Sequence, residues 1–476
     1  MKIVMVASEA RPFCKTGGLA DVVYSLSKEL VVLKEEVSVI IPFYRTIKET
    51  IKVPVEFVDS FIVDMSWRHQ EVKVFTAKQD GIDYYFIEHW YFDRHNLYGD
   101  GDDGERFALF TLAVREFLMR RKETPNVIHV HDWQAGMLPC LIKTIDWYHD
   151  RFINTKFVMT IHNPAFQGML DRDALDDIYN LPTSLFDDGL VRLDGRVSTL
   201  KSGIVYADKV TTVSPTHRQE LLTPEGGMHL NGVLALREWD FCGILNGIDY
   251  LEFNPEDDKQ IYATYNAKTL VDGKKKNKEA LLKELNLQYY DRPLYSLVSR
   301  LTWQKGLDIL FPTVIELVER GCNVVILGSG ERQYELEFER LRARYPDKIA
   351  IYIGYNDTLA HKIYAASDFF LMPSLFEPCG LGQMIAQRYG TLPIVRRTGG
   401  LKDSVINFDS SNDATSNGFG FDNYHPDDLK YTSVYAYDTW FAKDTIHRLM
   451  KNAMNTDNSW AKSAKSYLGL YKEIVH

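Results

Sequence analysis

Short apolar runs alternate with segments of helical period from one end of this chain to the other, and that alternation restricts its fold more than any single motif. "KIVMVAS", "VSVIIP", "NVIHVHD", "KFVMTIHN" and "KVTTVS" are the strand-like runs of the first half. "LYSLVSRL", "NVVILGSG", "IAIYIGY", "FFLMPS" and "LPIVRRTGG" are those of the second. Continuous apolar strands separated by helices predict parallel sheets covered on both faces, the doubly wound α/β class. A chain of 476 residues exceeds what one hydrophobic core organises, so two such domains are expected. Between them, Leu251 to Arg292 is polar and carries "DGKKKNK". It reads as a border with its lysines on a solvated helix face, and the second sheet opens at Pro293.

A net charge of -10 and a pI near 5.8 argue against a duplex-DNA binder, which needs clustered Lys and Arg. They leave room for one anionic small molecule in a local basic pocket. The opening apolar run is broken by Glu9, too early for a secretory h-region, and no run reaches the ~18 apolar residues of a membrane span. Five cysteines, Cys14, Cys140, Cys242, Cys322 and Cys379, stand far apart with no Cys-x-x-Cys. A disulfide framework or structural zinc site is not expected, and a cytoplasmic location is.

One pattern occurs twice, each time after an apolar strand: "KTGGLADVV" at Lys15 to Val23 and "RTGGLKDSV" at Arg397 to Val405. Neither is a G-x-G-x-x-G fingerprint or a P-loop. In open α/β folds both would sit at the carboxyl ends of their sheets, where ligands bind. Lys15, Gly17 and Gly18 could form an anion site from a cation, bare backbone N–H groups and a helix start. The same residues could equally make a tight turn with a solvated lysine. In "SRLTWQKGLDIL", Arg300 and Lys305 repeat that logic with two cations. In "PSLFEPCGLGQMIA", Glu377 stands near a helix start, as a working carboxylate or as a capping acid. Cys379 reads as a small buried residue. "HVHDWQAG" and "TIHNPAFQG" set His129, His131, Asp132 and His162 at strand ends, but no further ligands complete a metal set. "DGDD" at Asp100 contains an Asp-x-Asp in a polar loop, where turn residues are commonplace.

As an ordered set, these segments resemble the bacterial glycogen synthases and plant starch synthases. The resemblance covers nearly the whole chain and also takes in "NGID" at Asn246 to Asp249. It implies the GT-B fold, two Rossmann-like domains facing a deep cleft. Residues 1–245 would form the first, acceptor-side domain and 246–455 the nucleotide-sugar domain. Residues 456–476 would be a helix crossing back to the first. It implies a retaining glucosyltransferase that takes ADP-glucose and an α-1,4-glucan (glycogen) and needs neither metal nor cofactor.

By matching motif, Lys15, Gly17 and Gly18 would meet the donor diphosphate from the first domain. Arg300 and Lys305 would hold it from the second. Glu377, with the backbone of Cys379, Gly380 and Leu381, would bind the glucose hydroxyls, and Asn246 would also contact ADP-glucose. His162 would lie beside the anomeric carbon, and Tyr355 would stack on adenine. The chain departs from the family at Gln134, Gly382 and Phe253, which stand for a histidine, a threonine and a tryptophan. A nicotinamide oxidoreductase is the rival enzyme class, but it lacks its glycine fingerprint here. A glucan synthase taking UDP-glucose and a non-catalytic glycan-binding protein also compete with this expectation. No nucleic-acid or membrane partner is expected, and oligomeric state is left open.

Overall fold

A computed structural model describes residues 1–475, and the side chain of Asp146 lies outside the described set. His476, the last residue of the expected C-terminal helix, lies outside it as well. The chain divides into two compact units. One is Met1–Ile244 together with the chain from Ser463 onward; the other is Leu245–Lys462.

The first unit is built on a nine-stranded sheet. Its spatial order is Phe241–Gly243, Lys209–Thr212, Lys156–Ile161, Val127–His131, Lys2–Val6, Glu36–Pro42, Ile82–Glu88, Arg68–Gln79 and Glu56–Met65. The first seven pair in parallel and the last two antiparallel. Five of the parallel strands are the apolar runs of the sequence, with Val127–His131 buried at every position, while Ile82–Glu88 and Phe241–Gly243 are not among those runs. The hairpin Glu56–Met65/Arg68–Gln79 escaped that reading. Its strands bury alternate residues only, which is the pattern of a sheet with one wet face. Chain order reverses between Lys2–Val6 and Val127–His131, so a crevice opens outside their carboxyl ends. The helix Trp460–Val475 ends in this unit: the Tyr471 hydroxyl lies 2.7 Å from His129 Nδ1, and Lys209 pairs with Glu473 at 3.0 Å.

The second unit holds a six-stranded sheet with every pairing parallel. Its order is Ile349–Ile353, Asn323–Gly328, Leu294–Val298, Phe369–Met372, Leu392–Arg396 and Phe419–Phe421. Numbered along the chain this is 3-2-1-4-5-6, the Rossmann order, with its reversal between Leu294–Val298 and Phe369–Met372.

The lysine run is not a solvated face. It lies in the helix Leu270–Glu284, where Lys275 and Lys276 are exposed but Lys274 and Lys278 are buried. Helical spacing sets those two on the face that also buries Leu270 and Leu281. Lys278 Nζ reaches Asp368 Oδ2 at 2.8 Å. Lys274 Nζ donates to the Ala365 and Tyr389 carbonyls at 3.1 Å and to Thr391 Oγ1 at 2.7 Å. Both ammonium groups are thereby satisfied without water, the condition for burying a cation. Among the described residues, no helix is long and apolar enough to cross a membrane.

Candidate active site

Most candidate residues fall into one group in each unit, and each group sits where its sheet reverses order; Tyr355 and Asn246 instead follow the edge strands Ile349–Ile353 and Phe241–Gly243. In the first unit, Lys2–Val6 leads through "FCKTGG" into the helix Gly18–Val32, whose N-cap is Gly17 with extended backbone. Gly17 and Gly18 are not required for a left-handed turn. A Cβ at Gly18 would meet nothing within 4 Å, and one at Gly17 only Glu9 Oε1 at 3.8 Å. The helix start is therefore open, and no side chain caps it. Thr16 is fixed instead, its N–H and hydroxyl both donating to the buried Glu9 carboxylate at 2.6 and 2.8 Å. Lys15 points elsewhere, pairing with Asp21 at 2.7 Å while its side chain stays about half exposed.

Across the reversal, Asp132 follows Val127–His131 in a left-handed conformation, φ 53°. Its Oδ1 accepts the His162 N–H at 2.7 Å and so fixes the end of the strand Lys156–Ile161. His131 Nδ1 and His162 Nε2 stand 3.0 Å apart, and the His129 and His131 rings stack at 4.2 Å. The histidines thus partner one another. Burial pushes the His162 and His129 pKa values down to about 3, His131 well below its usual range, and Asp132 up to about 7. A neutral His162 can offer hydrogen bonds but no charge.

The carboxylates of the "DGDD" loop are paired with arginines. Arg94 pairs with Asp100 and Asp102, and Arg106 with Asp103.

In the second unit, Arg300 and Lys305 follow Leu294–Val298, and Glu377 follows the neighbouring Phe369–Met372. Lys305 Nζ lies 2.6 Å from Glu377 Oε2, and Ser374 Oγ donates to the same oxygen at 3.0 Å. The lysine comes this close because Gly306 adopts φ 70° and presses against the Pro373 carbonyl; a Cβ there would stand 2.0 Å from that oxygen. Glu377 is not a capping acid, since the next helix is Gly382–Arg388 and its N-cap is Leu381. Arg300 is exposed, and its guanidinium has no hydrogen bond or ion pair among the described residues. Tyr355 is 84 % exposed, its hydroxyl 3.0 Å from Asp357 Oδ1.

Cys379 is buried, with its thiol pushed up to about 12 by that burial, so it is no nucleophile. The buried Asn246 Oδ1 has no partner among the described residues. Gly380 turns the chain at φ 74°. The second copy of the repeated pattern performs a different task from the first. Gly399 and Gly400 pack on the backbone of Glu377 to Cys379, where Cβ atoms would stand 2.0 and 2.2 Å from carbonyl oxygens. They hold the Glu377 loop, whereas Gly17 and Gly18 leave space.

Of the family departures, Gly382 has a local reason: a Cβ there would come within 3.1 Å of the Phe370 ring. Phe253 stacks on His361 with ring centroids 5.0 Å apart. Gln134 is buried with Oε1 unpartnered among the described residues, and nothing in the structure explains its choice over histidine.

Two family models match the chain: the starch synthase catalytic domain over residues 2–236 and glycosyl transferases group 1 over residues 278–457. The chain is 44% identical to a glycogen synthase of Clostridium kluyveri, covering 100% of both chains. It is 45% identical to one of Exiguobacterium sibiricum, covering 100% of this chain and 99% of the other. Among solved structures it is similar to the catalytic domain of starch synthase IV from Arabidopsis thaliana bound to ADP and acarbose. That match has a TM-score of 0.90 and 34% identity, and covers 99% of each chain. Two Rossmann-like sheets with this likeness are the GT-B fold, and identity sustained over the full length shows that the chain belongs to the glycogen and starch synthase family of glycosyltransferases.

Proposed function

We propose that the chain elongates glycogen, transferring glucose from ADP-glucose to the non-reducing end of an α-1,4-glucan with retention and releasing ADP. The observation that carries this reading is the Lys305–Glu377 pair beside the unpartnered Arg300, at the point of sheet reversal. The full-length likeness to glycogen synthases and the ADP and acarbose held by the starch synthase IV relative support the substrate class.

Transfer breaks the bond between glucose C1 and a diphosphate oxygen. Negative charge gathers on the diphosphate as the sugar becomes oxocarbenium-like. Arg300, Lys305 and Lys15 are the groups assigned to that charge, and one electrostatic donor of this kind is typically worth ~2.7–4 kcal/mol in the transition state. Retaining glycosidases use a free carboxylate as nucleophile ~5–5.5 Å from a second one. Glu377 is instead tied to an ammonium and a hydroxyl, which suits it to binding glucose hydroxyls. The acceptor's 4-hydroxyl then attacks C1 on the face the diphosphate leaves, and its proton passes to the departing phosphate oxygen. His162 hydrogen-bonds beside C1 without adding charge. The three cations occupy the role a metal has in other transferases.

Release of ADP or UDP from each donor, with and without glycogen, tests the reading. Glycogen-dependent ADP release is the expected result. Faster release from UDP-glucose would overturn the donor assignment, and no release from either would leave a glycan-binding protein. A glucosyl adduct on Glu377, sought by mass spectrometry with donor and no acceptor, would overturn the one-face mechanism.

A further inference from the structure

A second cluster of ligating groups lies in the same unit, apart from the Lys305–Glu377 pair. Carboxylate oxygens of Glu252 and Asp357 and a ring nitrogen of His361 lie within 4.8 Å of one another. Asp357 and His361 are four residues apart on the helix Asp357–Ala366, so they share a face. His361 is only 1% exposed. Its Nδ1 is held by Asp258 Oδ2 at 2.7 Å, and that oxygen also receives the Tyr389 hydroxyl at 2.5 Å. Phe253 stacks on the ring and fixes its plane. The other nitrogen, Nε2, is buried with no hydrogen-bond partner among the described residues, and Asp357 Oδ2 stands 4.0 Å from it.

A histidine with one nitrogen held by a carboxylate presents the other as a metal ligand, oriented and made more basic by that outer partner. We propose that Glu252, Asp357 and His361 form a site for a divalent transition-metal ion, Zn²⁺ by the chemistry of one imidazole and two carboxylates. Such ligands bind Zn²⁺ at ~2.0–2.2 Å, and tetrahedral geometry then separates them by ~3.4 Å. The two carboxylates have to move inward by about an ångström, which side chains at the surface do readily. Water completes the set. The ion would join the segment at Glu252 to the helix Asp357–Ala366. Because Asp357 Oδ1 accepts the Tyr355 hydroxyl, it would also steady that exposed ring. The role is structural, and no bond made or broken in the transfer proposed above involves the ion.

Calorimetric titration of ZnCl₂ into the chelator-treated full-length protein tests the site, alongside variants at the half-buried Glu252 (Glu252→Gln) and the exposed Asp357 (Asp357→Asn). Expected are one equivalent bound, a thermal midpoint that rises with Zn²⁺, and an affinity weakened more than about tenfold in each variant. Loss of an outer-shell partner alone typically has an effect of that size. His361→Gln should abolish binding, and the two carboxylate variants keep the test valid if that one fails to fold. The absence of saturable binding to the wild type overturns the proposal. So does binding whose affinity and stoichiometry survive in both carboxylate variants.

Discussion

Lys305 Nζ and Glu377 Oε2 lie 2.6 Å apart although 72 residues separate them. The contact joins the loops after two neighbouring parallel strands, so the cation proposed for the donor diphosphate is also tied into the fold. The two side chains are only 13% and 9% exposed.

Arg300→Ala and Lys305→Ala should therefore lose activity alike and differ in stability. Arg300 is exposed and unpartnered, so its removal should leave the urea midpoint unchanged while turnover falls by about a hundredfold or more. Removing Lys305 strands a buried carboxylate, which typically costs ~3–5 kcal/mol. Equal stability of the two variants would contradict the pairing, and near-wild-type turnover of either would contradict the donor assignment.

The two double glycines should respond in opposite ways to a methyl group. Gly18→Ala places its Cβ in open space on a helix, where alanine is favoured by ~0.8–1 kcal/mol. Its thermal midpoint should hold or rise while turnover falls, because the donor diphosphate is assigned to that space. Gly399→Ala meets φ 43° and the Glu377 carbonyl, so it should lose stability. Thermal melts and initial rates on the same preparations separate these outcomes.

Lys15→Ala should scarcely alter stability, since an exposed ion pair such as Lys15–Asp21 contributes ~0–1 kcal/mol. Its kcat should drop while ADP affinity, by calorimetry, stays within a few-fold of wild type. Lys15→Arg should fall between. Kinetics identical to wild type would make Lys15 a solvated turn residue.

Acid should unfold the protein early. His129 and His162, held near a pKa of about 3, and His131, also lowered, stay neutral when folded and take up protons at ~6.5 when unfolded. Between those values the unfolded chain binds more protons, so stability falls as pH falls, by ~1.4 kcal/mol per pH unit for each group. Asp132, raised to about 7, works in the opposite sense between ~3.8 and about 7, because only the folded form is then protonated, and it offsets one histidine. Urea midpoints from pH 7 to pH 5 should decline, and His129→Gln should flatten the slope. A midpoint that rises on acidification would refute the assignment.

Ten of the parallel strands could be read from sequence because they run as largely unbroken apolar stretches, whereas Ile82–Glu88, with alternating burial, and the three-residue strands Phe241–Gly243 and Phe419–Phe421 could not. The hairpin Glu56–Met65/Arg68–Gln79 could not, since an alternating strand with a polar face carries half the signal. Arg300, Lys305 and Glu377 stood out through their motifs. Their relationship did not, because it depends on Leu294–Val298 lying beside Phe369–Met372. Lys274 and Lys278 misled for a similar reason: their acceptors, such as Thr391 and Asp368, belong to segments about a hundred residues further on. Two identical patterns, "TGGL", proved locally indistinguishable and structurally unlike. What differs is the backbone that does or does not approach them.

The helix that ends in the first unit has a consequence for how the protein is made. Tyr467 and Tyr471 are fully buried there, and Tyr471 reaches His129 across 342 residues of chain. Ribosomes add ~5–20 residues per second, so about 20–70 s pass between the two halves of that contact. Throughout that interval the nascent first sheet carries an uncovered seam along His129 and its neighbours. The order of synthesis thus leaves that seam of the earliest-made core uncovered for longest.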